Sequence, residues 1–135
     1  MPHLSFEYSA NLEPAADLPG LCAALRDAMV GTGLFPLGGI RIRGFRADHW
    51  LIADGAGADD AFLHMTASIG AGRSAQDRAA AREAIYAAAE TWLRPRLAGR
   101  PFALSLDLQE IAPGAGEKRW NTVHDRLGTR SSASN

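Results

Sequence analysis

The amino-acid sequence predicts an α/β (α+β) protein in which two consecutive β-α-β units form one four-stranded sheet. Two observations support this fold class. Stretches with alternating apolar residues, typical of strands, occur before and after each of two stretches with helical periodicity. The 135 residues are enough for one domain with a sizeable core. Within each unit the strands are expected to be parallel, with both helices on one sheet face.

The first unit spans about residues 2–46. Apolar residues alternate with polar ones over His3–Tyr8, which predicts a half-buried strand. Asp17 has the position of a helix N-cap, and Gly31 that of a helix end. A second strand is predicted over Ile40–Arg46, because its isoleucines fall on one face and its first two arginines on the other.

The second unit spans about residues 61–111 and repeats this order. A strand is predicted over Ala61–Ile69, followed by a tight glycine-rich connection. Ser74 is the expected N-cap of a long helix that ends near Leu97. The last strand is predicted over Phe102–Glu110. We therefore expect one domain over residues 1–128, with residues 129–135 as a disordered tail.

The predicted sheet has one face without a helix. The strands carry many apolar residues, so we expect this second face to be too apolar to contact water. Association with further copies of the chain would cover it, so we predict an oligomer. The bulky stretch Arg119–Leu127 is a candidate for docking on a neighbour.

Composition excludes several classes of function. The chain has 14 Lys and Arg against 15 Asp and Glu, which gives no basic surface for nucleic acid or anionic membranes. Cys22 is the only cysteine, which fits a reducing cytoplasm. No apolar run is long enough to span a membrane. The four histidines lack the spacing of metal ligands, so we expect no metal site.

The N-terminus is the first candidate for chemistry. Removal of Met1 is expected because the next residue is small, and Pro2 would then be a free secondary amine anchored by the first strand. An α-amino group titrates near ~7.7–8.0, and burial or nearby positive charge lowers the pKa of such a cationic acid. Pro2 is therefore a candidate proton carrier near neutral pH, although most chain ends have no such role.

Three arginines are candidates for binding anions. Arg41 and Arg43 share one face of the second strand, and a structural alternative is that one of them pairs with Glu7 or Asp107. Arg73 precedes the long helix, where free backbone N–H groups and the helix dipole also favour an anion. The glycines around Arg73 do not have the spacing of a nucleotide-binding loop.

Several strings resemble one family: PHLSFEYSANL at the N-terminus, then TGLFPLGGIRIR, ADHWLIADG, AFLHMTASIGAGRS and ALSLDLQEI. Together they are similar to the 5-carboxymethyl-2-hydroxymuconate isomerases of the tautomerase superfamily, from Pro2 to about Leu127. The resemblance implies a tautomerase-like fold of duplicated β-α-β units, a homotrimer and no cofactor. It agrees with the repeat and with the predicted oligomer.

The resemblance also implies an activity and a set of site residues. An isomerase of this type, formally an intramolecular oxidoreductase, shifts a C=C bond in a small anionic unsaturated carboxylic acid during homoprotocatechuate (4-hydroxyphenylacetate) degradation. Pro2 would carry the proton, and Arg41 and Arg73 would bind substrate carboxylates or polarise the 2-oxo group. These arginines need not serve the Pro2 of their own subunit. Further candidates for substrate contacts are Phe35, Leu37 and His64, although a strand histidine is more often a core residue.

Two alternatives remain at this point. The same proline and arginines could serve a hydratase or dehalogenase acting on another small unsaturated acid, or the chain could be a non-catalytic trimer of the same fold. The family commonly has paired asparagines near the C-terminus, and this chain has only Asn121 there. For that reason no catalytic role is carried over to Asn121 or to His124.

Overall fold

One four-stranded sheet and two long helices make up most of the structure, a computed structural model that describes residues 2–128. Met1 and the predicted tail over residues 129–135 lie outside the described residues. No helix within residues 2–128 combines the length and the apolar character needed to cross a membrane. The elements in chain order are β1 (His3–Ser9), α1 (Leu18–Gly31), β2 (Arg41–Ala47), β3 (Ala61–Gly70), α2 (Ala75–Leu97), β4 (Phe102–Ile111) and α3 (Val123–Arg126).

The sheet has the strand order β2-β1-β3-β4. β1 pairs with β2 in parallel, and β3 pairs with β4 in parallel, as the two β-α-β units predicted. The units join through antiparallel pairing of β1 with β3, in which His3 lies opposite Ser68. The start of β1 therefore lies beside the start of β2 and the end of β3. Residues from three strands meet at this edge of the sheet.

The core lies between the helices and one face of the sheet. Leu4 and Phe6 of β1 are fully buried, and every second residue of β3 from Ala61 to Ile69 is buried as well. Burying a large apolar side chain contributes about 1.5–3 kcal/mol, so this face accounts for most of the driving force for folding. The buried helix residues that face it are Leu21, Leu25 and Met29 of α1 and Ala81, Ile85, Ala89, Leu93 and Leu97 of α2.

Side-chain caps fix the start of both long helices. The Asp17 carboxylate accepts a hydrogen bond from the Gly20 amide over 3.2 Å, and the Ser74 hydroxyl accepts one from the Asp77 amide over 3.0 Å. Such caps satisfy backbone donors that have no partner inside the helix. The N-caps predicted from the sequence are confirmed at both helices.

The second sheet face is mainly polar, so the expectation of an apolar second face was wrong. The strand pairing places on it the side chains that alternate with the core residues. The apolar residues of the strands are concentrated on the helix side, which leaves Phe45, Phe62 and Ile111 as the large apolar side chains opposite. The polar residues of this open face are His3, Ser5, Glu7, Arg41, Arg43, His64, Thr66, Ser68, Ser105, Asp107 and Gln109.

Candidate active site

Pro2 is held inside the structure at the start of β1. Its side chain is fully buried, and its carbonyl oxygen accepts a hydrogen bond from the Arg41 amide over 3.1 Å. Parallel pairing continues this contact, with His3 opposite Arg41 and Ser5 opposite Arg43. The N-terminal segment is thus fixed as a strand and does not fray, as a reactive terminal amine requires.

The Arg41 side chain turns back toward the connection that precedes β2. One of its terminal nitrogens, Nη1, donates to the carbonyl oxygens of Gly38 over 2.9 Å and Ile40 over 3.2 Å. Among residues 2–128, no carboxylate forms an ion pair with this guanidinium. The backbone therefore orients Arg41 without neutralising its charge, which leaves it able to bind an anionic ligand.

Arg73 is oriented in the same way from the other side of the site. Its Nη1 donates to the Gly70 carbonyl over 3.1 Å and its Nη2 to the Leu34 carbonyl over 3.0 Å. The guanidinium carbon lies 4.9 Å from the centre of the Phe35 ring, within the range of a cation–π contact. Arg73 likewise has no carboxylate partner within the described part of the chain.

The turn that carries Arg73 depends on glycine and on a second arginine. Gly72 has a φ of +103°, which side chains other than glycine rarely adopt. Arg78, one turn into α2, donates to the Arg73 carbonyl over 2.6 Å and pairs with Glu110 of β4 over 3.6 Å. At the start of α2 the Asp77 amide already donates to the Ser74 hydroxyl and is not available to an anion. An anion at this turn would therefore be bound by Arg73 more than by the backbone of the helix.

Residues 34–40, which we call the 34–40 connection, join the two arginines. Arg73 contacts its beginning and Arg41 its end, so both guanidinium groups are held by one short segment. Phe35 is buried beneath Arg73, whereas Leu37 is 45% exposed. The structure therefore brings four of the predicted site residues together around this segment, at the sheet edge where Pro2 begins β1: Arg41, Arg73, Phe35 and Leu37.

His64 lies apart from these four residues. It is opposite Glu7, four residues along β1 from His3, or roughly 13 Å at the rise of a strand. Its Nδ1 is 2.6 Å from the Ser105 hydroxyl and its Nε2 is 3.4 Å from the Asp107 carboxylate. His64 belongs to the open sheet face, and this placement separates it from the Pro2 of the same chain.

The surroundings of His3 show that the N-terminal edge is electropositive. Burial, with Arg43 and then Arg41 nearby, lowers the pKa of His3 below its ordinary value. The Arg43 guanidinium lies 3.2 Å from Nδ1 of His3. The alternative that Arg41 or Arg43 pairs with Glu7 or Asp107 is therefore not observed.

The sequence did not indicate how the C-terminal segment contributes to this edge. The Asn121 amide donates to the Gly38 carbonyl over 3.0 Å, and the buried His124 ring packs against the same glycine. This part of Arg119–Leu127 thus docks on its own chain, where docking on a neighbour was predicted. Asn121 and Gly38 are separated by 83 residues, so no local pattern reveals the contact. The paired glycines Gly38 and Gly39 were the one available sign of a close approach.

A cavity of about 410 Å³ opens beside this edge on the open sheet face. His3 forms one wall, the turn Gly70–Gly72 another, and the segment after β4 with Lys118 the remainder. Among residues 2–128, no group of three or more His, Cys, Asp or Glu side chains is arranged to hold a metal ion. The ionisable side chains in the lining of this cavity are His3, Glu117 and Lys118.

Comparison with known proteins gives the same result from independent directions. The family model described as 5-carboxymethyl-2-hydroxymuconate isomerase matches residues 2–127. The 5-carboxymethyl-2-hydroxymuconate Delta-isomerase of Escherichia coli is 42% identical over 124 residues, which cover 92% of this chain and 97% of that protein.

Solved structures are also similar. A 5-carboxymethyl-2-hydroxymuconate delta-isomerase superposes with a TM-score of 0.87 at 31% identity, covering 96% of this chain and 95% of the other. The 5-carboxymethyl-2-hydroxymuconate isomerase from Deinococcus radiodurans R1 gives a TM-score of 0.83 at 33% identity, covering 93% of both chains. A fused 4-OT symmetric trimer shares the fold at 24% identity, with a TM-score of 0.53 and coverage of 83% of this chain and 93% of the other.

The match of the family model over nearly the whole chain, together with the Escherichia coli relative, is sufficient to assign the family. The two parallel β-α-β units agree with the duplicated fold that the sequence resemblance implied. The chain belongs to the 5-carboxymethyl-2-hydroxymuconate isomerase family.

Proposed function

We propose that this protein isomerises 5-carboxymethyl-2-hydroxymuconate, a dienol with three carboxylates, to its conjugated oxo-ene isomer without a cofactor. The observation that carries the proposal is the pairing of Pro2 with Arg41 at an edge where neither Arg41 nor Arg73 contacts a carboxylate of residues 2–128. A basic amine beside two available guanidinium groups suits proton transfer within an anionic acid.

Pro2 carries the proton in this proposal. Once Met1 is removed, its nitrogen is a secondary amine, and the positive surroundings that act on His3 favour the neutral form of that amine as well. The nitrogen accepts the proton of the 2-hydroxyl group and returns one to C5. The C2–O bond becomes a carbonyl, the C2=C3 and C4=C5 double bonds become one C3=C4 double bond, and no atom or electron is lost.

Arg41 and Arg73 bind and polarise the substrate. A guanidinium binds a carboxylate through two parallel hydrogen bonds, and it stabilises the negative charge that develops on the 2-oxygen during proton transfer. Leu37, which is 45% exposed, provides apolar surface on the 34–40 connection for the carbon chain, and the buried Phe35 ring supports the Arg73 guanidinium. His64 could reach a substrate only at the site of another subunit, given its place on the open sheet face.

We further propose that the protein is a cytoplasmic homotrimer acting in homoprotocatechuate degradation. The fused 4-OT protein of this fold is a symmetric trimer. In this chain, the sheet face without helices is available for contact with a second copy. Its mixture of cationic and anionic side chains suits polar pairing between copies. Light scattering after gel filtration should give three times the chain mass of 14.4 kDa, and a monomer mass would contradict the trimer.

The isomerase proposal is tested by following the dienol triacid by ultraviolet absorbance with the purified protein and with Pro2→Ala. The wild-type protein should convert the dienol to the oxo-ene, and Pro2→Ala, which replaces the cyclic secondary amine with a primary amine, should turn over substantially more slowly. Unchanged turnover in Pro2→Ala would remove Pro2 from the mechanism. Conversion of a haloacrylate without conversion of the triacid would favour a dehalogenase or hydratase.

A further inference from the structure

We propose that Asn121 is a positioning residue for Arg41, acting through the carbonyl group of Gly38. The inference deepens the proposed isomerase function, because it assigns to the C-terminal segment the task of holding a substrate-binding arginine in place. Two side chains donate to one oxygen: Arg41 Nη1 over 2.9 Å and Asn121 Nδ2 over 3.0 Å. A carbonyl oxygen has two lone pairs, so the two donors together satisfy it.

The turn that carries this carbonyl is held by one internal hydrogen bond and by support from outside. Residues Leu37–Gly39 form a short 3₁₀ turn that contains two successive glycines, Gly38 and Gly39, both buried. The Gly39 amide, which belongs to the same peptide group as the Gly38 carbonyl, donates to the Pro36 carbonyl over 3.0 Å. The backbone freedom of glycine still allows this peptide to tilt, so contacts from outside help to fix where the Gly38 oxygen points. A tilted carbonyl would leave Arg41 Nη1 with the Ile40 carbonyl alone, over 3.2 Å.

The C-terminal segment supplies that support by two contacts with Gly38. The Asn121 amide fixes the carbonyl oxygen, and the His124 ring lies against the Cα position so closely that a Cβ added there would be 2.2 Å from Nδ1. His124 is only 6% exposed, so its ring is fixed by packing. The Gly38 peptide is thereby held from both sides while its oxygen faces Arg41.

Asn121 also makes a second hydrogen bond that provides a competing explanation. Its side-chain oxygen accepts from the Val123 amide over 3.0 Å, at the start of α3. A purely local role would be to stabilise the C-terminal segment through that bond. The two roles use different atoms of the same amide group, so substitutions can separate them.

Asn121→Ala removes both bonds, whereas Asn121→Asp keeps an oxygen for Val123 and loses the donor to Gly38. If Asn121 positions Arg41, both variants should raise KM for the dienol triacid by about 3- to 10-fold. Asn11→Ala is the matched control, because the Asn11 amide also donates to a loop carbonyl, that of Asp60 over 2.8 Å, away from the site. It should leave KM unchanged.

A double-mutant cycle identifies the partner. In an Arg41→Gln background the Asn121→Ala change should alter affinity by less than twofold, because the positioned group is already absent. In an Arg73→Gln background the change should retain its full effect, since Arg73 is held by other carbonyls. The proposal would be overturned if Asn121→Ala changed the affinity by the same factor in both backgrounds. It would also be overturned if Asn121→Asp had the KM of the wild-type protein.

Affinity should also be measured by titration calorimetry with tricarballylate, an unreactive tricarboxylate, using the full-length protein. If the wild-type protein binds tricarballylate without isomerising the triacid, the proposed function fails while the cycle still reports whether Asn121 positions Arg41. If the protein does isomerise the triacid but Asn121→Ala changes affinity equally in the Arg41→Gln and Arg73→Gln backgrounds, the positioning role alone fails. Absence of both binding and turnover would overturn the two proposals together.

Discussion

The amide of Arg41, the first residue of β2, donates a hydrogen bond over 3.1 Å to the carbonyl of Pro2, the residue that precedes β1. This contact makes the N-terminal residue part of the sheet, and it places the backbone of an arginine beside it. Since parallel strands begin at the same edge, the duplicated β-α-β order is what brings the two residues together. The arrangement of the strands thus places Pro2 beside Arg41 at one end of the sheet.

Removing the Arg73 side chain should mainly weaken binding of the anionic substrate. Arg73→Ala deletes a guanidinium that only carbonyl groups and the Phe35 ring contact within residues 2–128, so we expect KM to rise about tenfold or more with a smaller fall in kcat. Steady-state kinetics checks this. The control is Arg26→Ala, which removes an exposed arginine paired with Asp27 over 2.9 Å. An unchanged KM in Arg73→Ala would contradict the carboxylate-binding role.

A methyl group at Gly38 should disturb both stability and activity. Its Cβ would lie 2.2 Å from Nδ1 and 2.6 Å from Cε1 of His124, so the buried ring must move. Overpacking of this kind costs about 1–3 kcal/mol, and displacement of the Gly38 carbonyl should raise KM as well. Urea unfolding and steady-state kinetics measure the two effects.

Gly31→Ala is the matched control for this substitution. No heavy atom lies within 4 Å of a Cβ at Gly31, which ends α1, and alanine favours helix. Its free energy of unfolding should be equal to that of the wild-type protein or higher. Equal stability of the two variants would show that the His124 ring adapts freely, contrary to the packing described here.

The lowered pKa of His3 predicts a loss of stability in acid. Burial, followed by Arg43 and Arg41, favours neutral His3 in the folded state, whereas the unfolded chain binds a proton near the ordinary value of 6.5. The unfolded state therefore binds more protons, and the free energy of unfolding falls as the pH drops below about 6.5 and through the folded pKa.

Replacing His3 with Gln should flatten that dependence. Urea unfolding of His3→Gln between about pH 7 and pH 5 should show a smaller fall in the free energy of unfolding than the wild-type protein shows. The exposed His49 supplies the control, because His49→Gln should leave the wild-type slope unchanged. An identical slope in His3→Gln would mean that His3 does not bind a proton in that range upon unfolding.

Much of the fold could be predicted because its determinants are local. Alternating residues marked the strands, and Asp17 and Ser74 marked the helix starts through short-range hydrogen bonds. Parallel pairing within each unit followed from the order of elements. The polarity of the second sheet face was misjudged, since total apolar content does not say on which face each strand residue falls until the register is known.

The candidate site was predictable only in part. Arg41 was predicted from its strand face and Arg73 from its place before a helix, both with the family resemblance, and both side chains donate hydrogen bonds to the 34–40 connection. The position of His64 depends on the antiparallel register of β1 with β3, which joins the two units and has no local signal. The contact of Asn121 with Gly38 spans 83 residues, so it depends on tertiary packing alone.

The central claim is that a free Pro2 amine is the base. Its most direct test combines two measurements on one sample: the intact mass of the protein, and a pH–rate profile with the dienol triacid. If Pro2 is the base, the mass should lack one methionine, and kcat/KM should rise through an ionisation near or below neutral pH. Full isomerase activity in protein that retains Met1 would contradict the claim, because the Pro2 nitrogen would then be a tertiary amide without basicity.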